Sequence, residues 1–150
     1  MFEAFMTWWR ERRAESSGAW GERRAAVHLK TQRGFTPVAQ NWRNPRDRRE
    51  EIDLVMRDQD VLVFIEVKAR SSTALVPGYY AVNPKKKRIL LRAAKAYLRR
   101  LNPPPVTFRF DIVEIELPAG TGEPIVESAD SRGVVRHFEN VPLFPKGFRP

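Results

Sequence analysis

Residues 51–68 of the chain read EIDLVMRDQDVLVFIEVK. Two apolar runs flank a short polar segment, a pattern typical of two strands joined by a hairpin turn. Three charged residues, Asp53, Glu66 and Lys68, interrupt these otherwise apolar runs. Since charged side chains are rarely buried without a partner, these three residues are the first candidates for a functional site.

An antiparallel hairpin with a turn of even length gives a register that separates the apolar side chains from the charged ones. In that register Asp53 lies opposite Glu66 on one face, and Lys68 lies beside them. A slip of one residue would mix apolar and charged side chains on both faces, so the pattern favours this register. The other face is then apolar, with three facing pairs: Ile52 with Val67, Leu54 with Ile65, and Met56 with Val63.

The facing carboxylates predict a bound cation. Two carboxylates at cross-strand distance repel each other, so protonation, a basic side chain or a metal ion must compensate. Oxygen ligands with open water positions suit Mg²⁺ or Mn²⁺, which would polarise a phosphoryl oxygen and lower the pKa of bound water. Lys68 could hold the attacking water or stabilise charge on the phosphate. The same pattern also fits a solvated hairpin on which Glu51 and Lys68 form an ordinary ion pair.

The rest of the chain predicts one α/β domain with a mixed central sheet flanked by helices. Residues 16–18 have N-cap chemistry for a helix of about residues 19–32, and Gly34 would end it. The run 61–69 is the most apolar, so we expect a central strand covered on both faces. The other predicted elements are a strand at 35–42, a polar loop at 44–50, a helix at 84–101, a strand at 106–117 with a bulge near Ile112, and short strands at 125–126 and 134–138.

The predicted domain, residues 17–142, lies between two flanking segments. We expect residues 1–16 to form an amphipathic arm, because Phe2, Phe5 and Trp9 recur at helical spacing. This arm either packs on its own domain or docks a partner. Residues 143–150 form an irregular tail.

Charge is the most informative feature of the composition. The chain has 27 Lys and Arg against 18 Asp and Glu, a formal net charge of +9. Such an excess attracts polyanions, and its clustering favours nucleic acid over a merely soluble surface. Phosphate contacts are expected from Arg43, Arg46, Arg48, Arg49, Arg70, Lys85, Lys86, Lys87, Arg88, Arg92 and Lys95.

Several classes of protein are excluded by composition. The absence of cysteine excludes disulfides and thiolate metal sites. Two histidines are too few for a zinc-hydrolase site. No apolar run is long enough to span a membrane, and we expect a cytoplasmic protein.

Asp53 followed by Glu66-Val67-Lys68 resembles the D…(D/E)-x-K signature of the restriction-endonuclease-like nucleases. The wider layout resembles the bacterial YraN family, which is related to archaeal Holliday-junction resolvases. Between about residues 18 and 141, the further matching segments are Gly21-Glu22-x-x-Ala25, Asn41-Trp42-Arg43, Glu51-Ile52-Asp53-Leu54, Lys87-Arg88 through Ala94-x-x-Tyr97-Leu98, Arg109-Phe110-Asp111-Ile112-Val113, and His137 with Asn140.

This resemblance implies a restriction-endonuclease-like fold and metal-dependent hydrolysis of phosphodiester bonds. In the resolvase relatives an acidic residue of the first helix joins the metal site, and Glu22 corresponds to it; without the resemblance, Glu22 would only favour the helix dipole. The chain has Glu50 where the family usually has glycine before the Glu51-Ile52-Asp53 run. A junction resolvase would need two active sites, hence a homodimer.

Three hypotheses of function remain open at this point. The first is a Mg²⁺- or Mn²⁺-dependent endonuclease for DNA, including branched or structured DNA, with Glu22, Asp53, Glu66 and Lys68 as catalytic residues and Asp53 and Glu66 as metal ligands. The alternative is a non-catalytic nucleic-acid-binding module on the same scaffold. The third is an interaction protein that docks through the N-terminal arm. The sequence does not distinguish DNA from RNA.

Overall fold

The computed structural model describes residues 16–71, 82–117 and 134–150. The predicted arm up to residue 15 and the predicted strand at 125–126 lie outside these ranges. The described elements are α1 (Ser17–Arg33), β1 (Thr36–Asn44), β2 (Asp47–Asp58), β3 (Val61–Ser71), α2 (Pro84–Arg99), β4 (Thr107–Leu117) and β5 (Val135–Phe138).

The described strands form one sheet in the order β1-β2-β3-β4-β5. β3 and β4 are parallel, and the other neighbouring pairs are antiparallel. Two separate apolar cores lie on the two faces, one under α1 and one under α2. This arrangement confirms the predicted α/β domain, a mixed sheet flanked by helices. No helix in the described part of the chain is long and apolar enough to cross a membrane.

Both ends of α1 follow the predicted capping residues. The Ser16 side chain accepts a hydrogen bond from the Ala19 N–H at 3.2 Å, which satisfies one of the free donors of the first turn. Gly34 has a φ of 70°, and its N–H donates to the Leu29 carbonyl. Only a residue without a Cβ adopts this left-handed conformation at no steric cost, so the helix ends there.

The segment predicted as a polar loop, residues 44–50, is instead a tight hairpin. Asn44 pairs with Asp47 across Pro45 and Arg46, and β2 begins at Asp47. The Asn44 side chain accepts from the Arg46 N–H, and the Asp47 side chain accepts from the N–H two residues further on. Side chains of this type stabilise turns locally, so the polarity of the segment indicated exposure rather than a loop.

The predicted register of β2 and β3 is confirmed from Leu54 to Met56, whereas the predicted pairs of Ile52 with Val67 and Asp53 with Glu66 lie beyond the last paired residues. Leu54 pairs with Ile65, and Met56 pairs with Val63, around a two-residue turn at Gln59. Ile52 departs from the prediction, because it lies in the core under α2 whereas Leu54 lies in the core under α1. The alternation of β2 therefore changes phase at the residue between them, Asp53.

β4 has no bulge, so that prediction was wrong. Its pairing with β3 runs without a shift from Thr107 to Leu117. Phe110 and Ile112 lie in the core under α2, and Val113 lies in the core under α1. The change of apolar phase in the sequence arises because the middle of this strand is covered on both faces, not because its backbone is irregular.

α1 lies in close contact with β3 at Gly21. A Cβ built on Gly21 would lie 2.9 Å from the Ala69 Cβ on β3, closer than carbon atoms pack, whereas a Cβ on Gly18 would have nothing within 4 Å. Gly21 immediately precedes Glu22, so this contact fixes the distance of that carboxylate from the sheet.

We expect Gly21→Ala to destabilise the protein by about 1–3 kcal/mol, since an added methyl must displace the backbone of a strand. Gly18→Ala lies in the same helix and should be neutral or stabilising by up to about 1 kcal/mol, because alanine is the better helix former. Urea denaturation of the two variants measures both values. Equal stabilities would show that α1 is not in close contact with β3.

Candidate active site

Asp53 lies where β2 separates from β3. The paired residues end at Leu54 and Ile65, and beyond that point the Asp53 Oδ2 accepts a hydrogen bond from the Val67 N–H at 2.8 Å. A side-chain carboxylate thus replaces a backbone carbonyl as the partner of the β3 N–H. The hydrogen bond satisfies the backbone N–H of Val67 and keeps the Asp53 carboxylate close to Glu66.

The environment of Asp53 disfavours its charged form. Its pKa is raised well above the usual range, first by burial and then by the charge of Glu66, with a smaller contribution from Glu22. The hydrogen bond from the Val67 N–H and the charge of Lys86 oppose this shift. A cation beside Asp53 would therefore relieve both repulsion and desolvation.

Glu66 is the most buried of the three acids Glu22, Asp53 and Glu66, which we call the carboxylate centre, with 3% of its surface exposed. Its Oε1 contacts the Nζ of Lys68 at 3.1 Å and the Nζ of Lys86 at 3.4 Å. Its Oε2 is buried and has no hydrogen-bond partner among the residues that the structure describes. One oxygen is thus held by two ammonium groups, while the other is available to a ligand.

Glu22 reaches the same region from α1. Its pKa is raised, first by burial and then by the charges of Glu51 and Glu66, while a hydrogen bond with Asn41 opposes the rise. Asn41 has a φ of 46°, a left-handed conformation that asparagine tolerates better than most residues. Nothing in the sequence pattern identified Asn41 as a partner of Glu22.

The acidic residues partly fit a metal ion. Within the ranges 16–71, 82–117 and 134–150, no three His, Asp or Glu side chains converge closely enough to hold one. Asp53 and Glu66 nevertheless offer two hard oxygen donors, and the unpartnered Oε2 of Glu66 is an acceptor that a cation would satisfy. Mg²⁺ is commonly held by one or two carboxylates with water in the other positions, so this pair suits it.

The basic residues predicted to contact phosphates have different surroundings. Four of them pair with carboxylates, and three of these are arginines: Arg43 with Glu51 at 3.0 Å, Arg49 with Asp47 at 2.8 Å, and Arg92 with Glu50 at 2.9 Å. The fourth is Lys86, whose Nζ contacts the Glu66 Oε1. Arg46, Arg48, Lys85 and Arg88 are exposed, and Lys87, Arg70 and Lys95 are half-buried.

Glu50 is accommodated by an ion pair. It is 7% exposed, and its carboxylate accepts from the Asn44 side chain at 2.7 Å and from the Arg92 Nε at 2.9 Å. A buried carboxylate is tolerable when paired and hydrogen-bonded in this way. The glutamate therefore joins the hairpin turn to α2 instead of disturbing the start of the Glu51-Ile52-Asp53 run.

A second buried polar cluster surrounds Asp111 on β4. The carboxylate accepts from Arg109 at 2.9 Å and from the Asn140 N–H at 2.9 Å, and it lies 2.8 Å from the His137 Nε2. Burial would raise the pKa of Asp111, but the hydrogen bonds from His137 and Arg109 outweigh it and lower the pKa. Arg109 also binds Asp58, so the cluster ties β5 and the tail to the β2–β3 hairpin.

The fold and the acidic cluster together define a class of protein: a single α/β domain with a mixed sheet between two helices and a carboxylate centre where two strands diverge. The chain belongs to a family within this description, since the model of the "Uncharacterised protein family UPF0102", the YraN family, matches residues 21–115. All three acids of the centre, Glu22, Asp53 and Glu66, lie inside the matched range.

The chain is similar to UPF0102 proteins from several bacteria. It is 44% identical over 99 residues to one from Symbiobacterium thermophilum, covering 66% of this chain and 80% of the relative. It is 42% identical over 118 residues to one from Streptomyces griseus, covering 78% of this chain and 93% of the relative.

We expect Asp53→Asn to stabilise the protein at pH 8, because asparagine can accept from the Val67 N–H without carrying charge. The pKa of Asp53 is raised on folding, so its penalty is full above the folded-state pKa and disappears as the pH falls towards the unfolded-state pKa. The advantage of the variant should therefore shrink between pH 8 and pH 4, as measured by urea denaturation.

Asp47→Asn is the control for this comparison. Asp47 is half-buried at the hairpin turn, and its hydrogen bonds with Arg49 lower its pKa to about 2. Its charge is favourable above the unfolded-state pKa, so this variant should not be more stable than the wild type at pH 8. An Asp53→Asn variant that is less stable than the wild type at pH 8 would contradict an unfavourable environment of the Asp53 charge.

Proposed function

We propose that the protein is a Mg²⁺- or Mn²⁺-dependent endonuclease that hydrolyses phosphodiester bonds, with DNA as the expected substrate. The observation that carries this proposal is the environment of Glu66. A buried carboxylate with one free oxygen lies beside a second acid, Asp53, and two lysine ammonium groups. Structural ion pairs seldom leave a buried oxygen unsatisfied, whereas a metal ion needs such an oxygen as its ligand.

Each residue of the cluster has a chemical role in this proposal. Asp53 and Glu66 would hold the metal ion, which supplies Lewis acidity and lowers the pKa of bound water. Lys68 extends from the same strand as Glu66 and is placed to hold the attacking water or to stabilise charge on the phosphate. Lys86 adds a second positive charge from the start of α2. Glu22, with its raised pKa, can exchange a proton closer to neutral pH than an ordinary glutamate.

Two further observations support the proposal. The pattern of Asp53 and Glu66-Val67-Lys68 resembles the signature of restriction-endonuclease-like nucleases, and the strand order brings these residues together at one place. The excess of basic residues, a net charge of +9, supplies attraction for a polyanionic substrate.

A four-way junction as substrate would require two chains acting together, which size-exclusion chromatography with the junction can detect.

The second candidate is a nucleic-acid-binding module without catalysis. It is favoured by the absence of a three-ligand metal cluster from the part of the chain that the structure describes. It is also favoured by Lys68 and Lys86, which already compensate the charge of Glu66 without a metal ion. Both candidates predict affinity that falls steeply with salt, so only cleavage and metal binding separate them.

We expect the wild type to cleave at least one member of a panel of duplex, nicked and branched DNA and single-stranded RNA in Mn²⁺. Asp53→Ala should abolish this cleavage because it removes a metal ligand. Lys68→Ala should slow it by roughly 100-fold or more, the usual effect of losing one group that stabilises transition-state charge. Denaturing gels with end-labelled substrates measure the rates.

Asp60→Ala and Lys146→Ala are matched controls, since each removes one exposed charge of the same sign away from the cluster. Both should cleave at the wild-type rate. Nucleic-acid binding without cleavage, undiminished in Asp53→Ala and Lys68→Ala, would reject the nuclease and support the binding module.

A further inference from the structure

We infer that a groove between α2 and the β1–β2 hairpin is a binding site for single-stranded nucleic acid, next to the carboxylate centre. The groove has a volume of about 640 Å³, within the usual range of ligand clefts. One aromatic and five basic side chains line it: Trp42, Arg46, Arg92, Lys95, Arg99 and Arg100. The site would give the proposed nuclease a preference for substrates with an unpaired strand. The link between the groove and the carboxylate centre rests on that proposed nuclease function.

α2 presents a continuous line of positive charge along this groove. Basic residues recur along it at intervals of three and four positions, which places them on one face of the helix. The helix contains no acidic residue. At about 1.5 Å per residue, the line extends for about 21 Å. Its members are Lys85, Arg88, Arg92, Lys95 and Arg99.

The end of the groove away from Lys86 keeps its positive charge, because most of its cations have no acidic partner in the described part of the chain. Arg92 pairs with Glu50, the acid among the lining residues. The other cations of the groove are Arg46 from the hairpin turn, and Lys95, Arg99 and Arg100 from the second half of α2 and its C-cap. Their convergence makes a site for more than one phosphate.

Trp42 adds an aromatic surface to this cationic groove. It is half-buried, and it packs edge to face on Tyr97 with ring centroids 5.2 Å apart. The Arg100 guanidinium lies 5.5 Å from the centre of the Trp42 ring. A groove of positive charge with an aromatic ring in its wall is the arrangement that proteins use to stack unpaired bases while holding their phosphates. Paired bases are stacked within the duplex and do not offer a face to such a ring.

The groove leads to the carboxylate centre along two elements. On β2, Glu50 lies three residues before Asp53, a distance of about 10 Å. On α2, Lys86, which contacts Glu66, lies six residues before Arg92, a distance of about 9 Å. An unpaired strand is more extended than the roughly 3.4 Å per nucleotide that B-form DNA has along its axis, so at most about three nucleotides cover this distance. A strand held in the groove would therefore present a bond to Asp53 and Glu66 a few nucleotides from the stacked base.

The test is binding of the full chain to fluorescein-labelled oligo(dT) and to a duplex with the same number of phosphates, in EDTA and over a series of KCl concentrations. We expect tighter binding to oligo(dT). Trp42→Leu should weaken that binding by roughly fivefold or more while changing duplex binding little, since it removes the stacking surface. Lys95→Ala/Arg99→Ala should lower the slope of log affinity against log salt by about 1.4, because two phosphate contacts are lost.

Lys30→Ala/Arg33→Ala is the matched control, because it removes one lysine and one arginine from the last turns of α1 on the other face of the sheet. It should leave the salt slope unchanged. Equal binding of oligo(dT) and duplex, or a Lys95→Ala/Arg99→Ala slope equal to that of the control, would overturn the proposal even if Trp42→Leu proves unstable. Because no divalent metal is present, these results do not depend on whether the protein cleaves its substrate.

Discussion

The burial of the Asp53 carboxylate beside the charge of Glu66 is the constraint to which the surrounding structure responds. The hydrogen bond from the Val67 N–H holds Asp53 in place where the strands diverge, although burial and the charge of Glu66 disfavour its ionisation. Glu66 stays buried because Lys68 and Lys86 contact one of its oxygens. Proteins keep such unfavourable groups mainly where a ligand or a reaction requires them.

The elements around this pair supply its other charges. α1 is brought against β3 by the absence of a side chain at Gly21, which places Glu22 near the sheet. α2 begins at an Asn83 cap, and its third residue, Lys86, contacts Glu66. The same helix continues as a basic line beside the hairpin turn, so the centre and the groove share one rigid support.

Local patterns in the sequence were sufficient to predict most of the fold. Period-two alternation predicted the pairing of Leu54 with Ile65, because a shift by one would expose an entire apolar face. Ser16 and Gly34 predicted the ends of α1, since both act through short-range backbone contacts. Alternation failed at Ile52 and Ile112. At Ile52 a side-chain carboxylate interrupts the pairing, and at Ile112 helices cover the strand on both faces.

The acidic pair was predictable from the hairpin, but its surroundings depend on contacts distant in sequence. Lys86 was expected to contact phosphate, and its approach to Glu66 requires knowing where α2 begins relative to β3. The hydrogen bond between Asn41 and Glu22 depends on a left-handed residue in β1 that no periodic pattern indicates. The ion pair of Glu50 with Arg92 likewise joins residues 42 positions apart.

The most direct test of a cation-binding carboxylate centre is isothermal titration of metal-free protein with Mn²⁺ near pH 8, comparing the wild type with Glu66→Gln. The account predicts a saturable site in the wild type and at least roughly tenfold weaker binding in Glu66→Gln, because a charged oxygen donor is lost. Asp60→Asn, which removes an exposed charge from the hairpin turn, should bind as the wild type does. The absence of Mn²⁺ binding by the wild type, or equal binding by Glu66→Gln, would contradict the account.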